Sequence, residues 1–165
     1  MNKSVRFLVG VQIVVGGLLS GAAMAQSTAP SVMARTPTEM KWEARGALAR
    51  GGIEESNLVG DPSKPGPYTI RLKFPPGYKL PPHTHPDARE VTILSGTLYT
   101  AYWDGTRTTA LKELPTGSFY TEPSNIIHVV EAREPTMIQV SGNGPSGRRF
   151  VNPDDDIKPT EVKPK

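Results

Sequence analysis

All three histidines of this 165-residue chain fall in two short blocks. The first reads Gly77-x5-His83-x-His85-x4-Glu90 and the second Gly117-x5-Pro123-x4-His128. A neutral imidazole nitrogen binds a divalent metal without bringing charge, which makes histidine the commonest protein metal ligand. Residues i and i+2 of a strand share a face, so His83 and His85 can point into one interior. His128 opens a later strand behind a glycine-proline turn and can meet them from across that interior. Unrelated histidines would be scattered over the surface, so the spacing favours a metal site. Other chemistries lack their parts. No G-x-S-x-G elbow is present and no histidine is left over for a triad. The chain has no cysteine, which excludes disulfides, thiolate ligands and cysteine nucleophiles.

The elements that must position these residues are strands. Tyr68, Ile70, Leu72 and Phe74 alternate with Thr69, Arg71 and Lys73, the period-2 pattern of a half-buried strand. Further strands are predicted at Lys79–His85, Glu90–Leu94, Thr97–Trp103, Thr109–Glu113, Ser118–Thr121, His128–Ala132 and Thr136–Ser141. Turns rich in Gly and Pro separate them, such as Pro75-Pro76-Gly77 and Pro123-Ser124-Asn125. Seventeen prolines and sixteen glycines suit many tight turns and would break helices of ordinary length. Close, regular strands of this kind predict an all-β sandwich or closed barrel. Between Trp42 and Asn57 the pattern is weak, with a short helix or edge strand expected around Ala44–Arg50. Asn152–Lys165 is charged and proline-rich, and reads as a flexible tail.

The first 25 residues read as an export signal. Lys3 and Arg6 precede the apolar stretch Phe7–Leu19, and Ala23-Met24-Ala25 supplies a small-x-small cleavage site. Cleavage would leave Gln26 first and a mature protein in the periplasm or outside the cell, without a membrane anchor. It would also leave 140 of the 165 residues, enough for one domain with one core. Losing Lys3 and Arg6 lowers the formal charge from +3 to +1, so no basic stripe survives for nucleic acid. The mature chain divides into a lead-in over 26–66 that can carry an edge strand, a barrel over 67–151 and the tail over 152–165.

The two histidine blocks resemble the cupin superfamily, whose small jelly-roll barrels carry G-x5-H-x-H-x3,4-E-x6-G followed by G-x5-P-x-G-x2-H-x3-N. The resemblance spans roughly Pro67 to Gly142. Gly77, His83, His85, Gly96, Gly117, Pro123 and His128 match in place. Asn125 stands where the second motif has glycine, a mild change because Asn tolerates left-handed backbone angles. Ala132 stands where the family often has Asn. The motif's glutamate is ambiguous. Counted from His85 it is Glu90, but counted back from Gly96 its place is filled by Arg89. A one-residue shift turns a strand side chain to the other face, so both cannot point inward. An arginine is repelled by a divalent cation and a carboxylate attracted, which favours a local bulge that turns Glu90 in. The alternative register gives a three-histidine site with Arg89 in the lumen. Gln139, Tyr99 and Tyr102 are further side chains that could reach the lumen, though packing roles are commoner for them. Arg71 and Lys73 read as an exposed face.

The resemblance implies a mononuclear site for Fe, Mn, Ni, Cu or Zn, held by His83, His85, Glu90 and His128. With those four ligands a six-coordinate ion keeps about two positions for water, dioxygen or a chelating substrate. A tetrahedral zinc would be saturated by them, and would regain an open position if only the histidines bind. The family makes a dioxygenase-like oxidoreductase of a small molecule the leading expectation. A non-catalytic metal or small-ligand binding protein, and a metal-dependent isomerase or lyase, are the alternatives, since one fold hosts many chemistries. The family also implies a homodimer.

Overall fold

The computed structural model describes residues 33–44, 51–104 and 109–156. The chain divides into two units, Met1–Ala34 and Arg35–Lys165, and every element below belongs to the second. The expected signal over 1–25, nearly all of the expected element at Ala44–Arg50 and most of the tail lie outside the described residues. Among the described residues no helix is long and apolar enough to cross a membrane.

Among the described residues ten strands make two five-stranded antiparallel sheets, the jelly-roll layout expected from the sequence. The first has the order β1 (Glu54–Val59), β2 (Gly66–Phe74), β9 (Thr136–Gly144), β4 (Arg89–Ser95), β7 (Phe119–Glu122). The second runs β10 (Arg149–Phe150), β3 (Tyr78–Thr84), β8 (His128–Ala132), β5 (Thr97–Tyr102), β6 (Lys112–Pro115). The alternation in β2 buries Tyr68, Ile70 and Phe74, and its partner β9 places Val140 and Ile138 opposite Ile70 and Leu72. Val91 and Ile93 of β4 complete that face, and Leu80, Leu98, Val130 and Ala132 cover it from the other sheet. Each fully buried Val, Leu or Ile contributes about 1.5–3 kcal/mol, so this layer between the sheets is the main stabilising feature.

Three strands differ from expectation, one of them β10, a two-residue strand where none was predicted. β1 is an edge strand in the lead-in, later than the Ala44–Arg50 expected; its buried residues include Glu55 and Ser56, so it lacks an apolar signature. β6 begins at Lys112, three residues later than predicted, and is followed directly by the turn at Gly117.

β3 breaks its own alternation. Tyr78 and Leu80 point inward, then His83 and His85 do, three residues on rather than two. The ladder to β8 absorbs this as a bulge: Leu80 faces Val130 and His83 faces His128, one residue more on β3 than on β8. Pro81 and Pro82 occupy the bulge, where a missing N–H costs no ladder bond.

Candidate metal centre and its cavity

The bulge, the β8 start and one turn together assemble the site. His83 lies near the end of β3, His85 directly follows it, and His128 opens β8 opposite His83. Asn125 sits in the turn before β8 with φ 61°, the left-handed conformation that its motif position fills with glycine. Its N–H donates to the His85 carbonyl at 2.7 Å, so the second block is fastened to the first. The His83 and His128 rings are 4.2 Å apart, His83 and His85 4.9 Å, and His85 and His128 5.3 Å. One nitrogen from each ring lies within 4.8 Å of the others.

Each ring is oriented through Nδ1. That atom lies 2.7 Å from the Pro81 carbonyl in His83, 2.5 Å from the Gly147 carbonyl in His85 and 3.1 Å from the Ile126 carbonyl in His128. A carbonyl only accepts, so Nδ1 carries the proton and Nε2 keeps a free lone pair. All three Nε2 atoms are buried and make no hydrogen bond. Burial, with the neighbouring His128 and His85, pushes His83 well below the ordinary imidazole range. Burial and the Arg89 charge push His85 down to about 3. Buried lone pairs without partners on pinned neutral rings are the donor set a divalent metal requires, so the residues fit one.

The fourth inward side chain is not the expected one. Glu90 is exposed on β4, opposite Thr121 and Ser141, and stands outside the cluster. No bulge interrupts β4 there; its register shift lies between Ile93 and Ser95. The Gly96-anchored count therefore holds, and Arg89 points inward. What makes an inward arginine tolerable is Glu122 at the end of β7, directly opposite Arg89 in the ladder. Arg89 Nε and Nη2 both donate to Glu122 Oε2, the former at 2.8 Å. Glu122 Oε1 accepts from the Tyr120 hydroxyl at 2.8 Å and lies 3.3 Å from His128 Nε2, while Oε2 lies 3.9 Å from His85 Nε2. Burial alone would raise this carboxyl, but the Arg89 guanidinium holds it well below the usual range. Burial and the Glu122 charge push Tyr120 well above the ordinary phenol range.

His83, His85, Arg89, Tyr120 and Glu122 open on a cavity of ≈ 310 Å³ between the sheets, with an apolar wall that includes Ile70, Leu72, Leu80, Val130, Ile138 and Val140. Ser146, Gly147 and Arg148 form part of its margin. The other residues singled out in the sequence stand elsewhere. Gln139 accepts from Arg71 Nε at 3.1 Å on the face away from the cavity. Lys73 lies over the Trp42 ring at 3.8 Å, and Arg133 stacks on Tyr99 at 3.9 Å, outside the barrel. Tyr102 approaches the site, its ring 6.4 Å from His128, and its hydroxyl donates to the Thr121 carbonyl.

A family profile described as the ChrR cupin-like domain matches residues 31–146. Among curated protein sequences none matches this chain. Solved structures share the fold. The polyketide cyclase RemF from Streptomyces resistomycificus aligns with TM-score 0.57 and 21% identity, covering 76% of this chain and 91% of its own. The DMSP lyase DddQ from Ruegeria pomeroyi aligns with TM-score 0.56 and 20% identity over 70% of this chain and 62% of its own. An RmlC-like cupin from Shewanella frigidimarina aligns with TM-score 0.55 and 16% identity over 68% and 91%.

Proposed function

The chain belongs to the ChrR cupin-like domain family, and from that premise we propose that it is a mononuclear metal-dependent oxidoreductase of the dioxygenase type. His83, His85 and His128 are its metal ligands. The observation that carries the reading is the set of three buried Nε2 lone pairs, each aimed by an Nδ1–H bond to a backbone carbonyl beside the cavity. Three neutral donors leave the full charge of a divalent ion and about three open positions if it takes six ligands, and Fe, Mn, Ni, Cu and Zn all accept imidazole. A metal held there would supply Lewis-acid polarisation and, if redox-active, reaction with dioxygen.

The chain's own residues do the rest. Glu122, ionised and 3.3 Å from the ring of His128, is placed to take a proton from an acidic substrate at Oε1. Tyr120 donates to that oxygen and Arg89 holds the other, so the carboxylate cannot rotate away. The apolar wall excludes water and selects a small molecule with oxygen donors at one end and an apolar body. Export and cleavage after Ala25 belong to the same proposal, supported by the residue order of the first 25 positions. N-terminal sequencing of native material tests it: Gln26 supports export, and a retained Met1 contradicts it.

A lyase or isomerase is the second reading, favoured by Glu122, since a buried base beside the metal ligands suits proton transfer without redox change. A binding protein without turnover would leave that base without a role. Oxygen uptake by protein reconstituted with each candidate metal, measured over a panel of diols and thiols, separates the three. Uptake that Glu122→Gln reduces supports the oxidoreductase. Product formation without uptake supports the lyase or isomerase, and saturable binding without product supports the binder.

A further inference from the structure

The three histidines are not pinned alike. His83 and His128 donate to carbonyls two residues back, Pro81 and Ile126, so each is oriented by the chain immediately preceding it. His85 donates to Gly147, 62 residues away. Gly147 belongs to a strap over residues 145–148 that crosses from β9 in one sheet to β10 in the other.

That strap is anchored at several points. The Ser146 N–H donates to the Pro62 carbonyl at 2.6 Å. Behind Ser146 lies a buried pair that the proposed chemistry does not use. Tyr68, 2% exposed, donates its hydroxyl proton to Asp87 Oδ2 at 2.6 Å, and its oxygen lies 3.3 Å from Ser146 Oγ. With its one proton committed to Asp87, the Tyr68 oxygen accepts from Ser146. The approach to the strap leaves no room for slack. A Cβ at Gly142 would lie 2.7 Å from Tyr68 Oη and 2.8 Å from Asp87 Oδ2, and one at Gly144 would lie 2.2 Å from the Lys64 carbonyl oxygen. At its far end the strap enters β10, where Phe150 pairs with His83.

The geometry points to Tyr68, Asp87 and Ser146 as positioning residues that fix the tautomer and aim of His85 by holding the Gly147 carbonyl. The inference rests on the metal-site reading above. His85 is thereby the one ligand whose orientation depends on a distant segment, and that segment also borders the cavity.

Untagged protein labelled with ¹⁵N-histidine tests this without turnover, since the chain has three histidines. Long-range ¹H–¹⁵N spectra of the metal-free protein, assigned with single histidine variants, give each ring's tautomer, and Co(II) titration gives the affinity. Wild type is expected to show all three rings protonated at Nδ1. Tyr68→Phe is expected to convert His85 alone to a tautomer mixture and to weaken Co(II) about tenfold, as loss of a partner behind a ligand does. Ser146→Ala, which keeps the buried pair, moves both readouts the same way and decides the matter if Tyr68→Phe does not fold. Ile93→Val, a buried change away from the cavity, leaves both unchanged. The inference is overturned if His85 keeps one tautomer and Co(II) affinity stays within about twofold in the folded variants. It is equally overturned if all three rings loosen together. Failure of the wild type to bind Co(II) sinks the metal reading, while the tautomers still decide whether the strap sets His85.

Discussion

Glu122 and Glu90 are carboxylates on adjacent strands with opposite fates. Glu122 is 3% exposed, bonded to Arg89 and Tyr120 and close to two histidines, whereas Glu90 faces solvent. Glu90→Gln is therefore expected to leave bound metal unchanged by elemental analysis. Arg89→Ala strands a buried carboxylate beside the cavity and is expected to cost about 3 kcal/mol in urea denaturation. The histidines also set an acid limit. Well above pH 6.5 His83 and His85 are neutral in both the folded and unfolded states and add no pH dependence. Below it the unfolded chain takes protons that buried His83 and His85 refuse, so stability falls with pH down to about 3, the folded-state value of His85. Glu122, held low in the fold, adds to the loss once pH drops below its ordinary 4.5. Denaturation midpoints of metal-free protein between pH 8 and 5 should be flat, then decline below about 6.5. The histidines were legible because their spacing is itself the chemistry. Glu122 was not, since a carboxylate before a proline carries no ligand pattern. The sign was indirect: an inward Arg89 in the Gly96-anchored register demands a carboxylate opposite.

At the scale of elements, the prolines and glycines carry the information. Pro81-Pro82 falls inside the strand expected over Lys79–His85 and is a bulge inside β3, which moves the histidines into phase with Leu80. Asn125 holds a left-handed angle in the turn fastened to His85. Asn125→Gly should be close to neutral in urea denaturation, and Asn125→Ala should lose about 1 kcal/mol because a Cβ without a compensating polar group is strained there. The same left-handed demand falls on Gly96, φ 71°, whose Cβ would lie 2.5 Å from the Pro135 carbonyl oxygen. The strands with clean alternation, β2, β8 and β9, were readable from period 2 alone. β1 was not, because Glu55 and Ser56 are buried polar residues, and β10 has two residues, too few for any period.

For the whole molecule, the three histidines lie where the end of β3 meets the start of β8, and the Arg89–Glu122 pair ties β4 to β7. A metal that binds only the assembled site should raise the stability of the sheets together, by about 2.7 kcal/mol at a free concentration 100 times Kd. A chelator should lower Tm by the corresponding amount, and readdition should restore it. In the proposed site the three histidines alone hold the ion. The most direct test of that assignment is elemental analysis of untagged wild type beside His83→Ala, His85→Ala, His128→Ala and Glu90→Gln. One divalent ion per chain is expected in wild type and Glu90→Gln, with near-complete loss in each histidine variant. Metal retained in the histidine variants, or lost in Glu90→Gln, would contradict it.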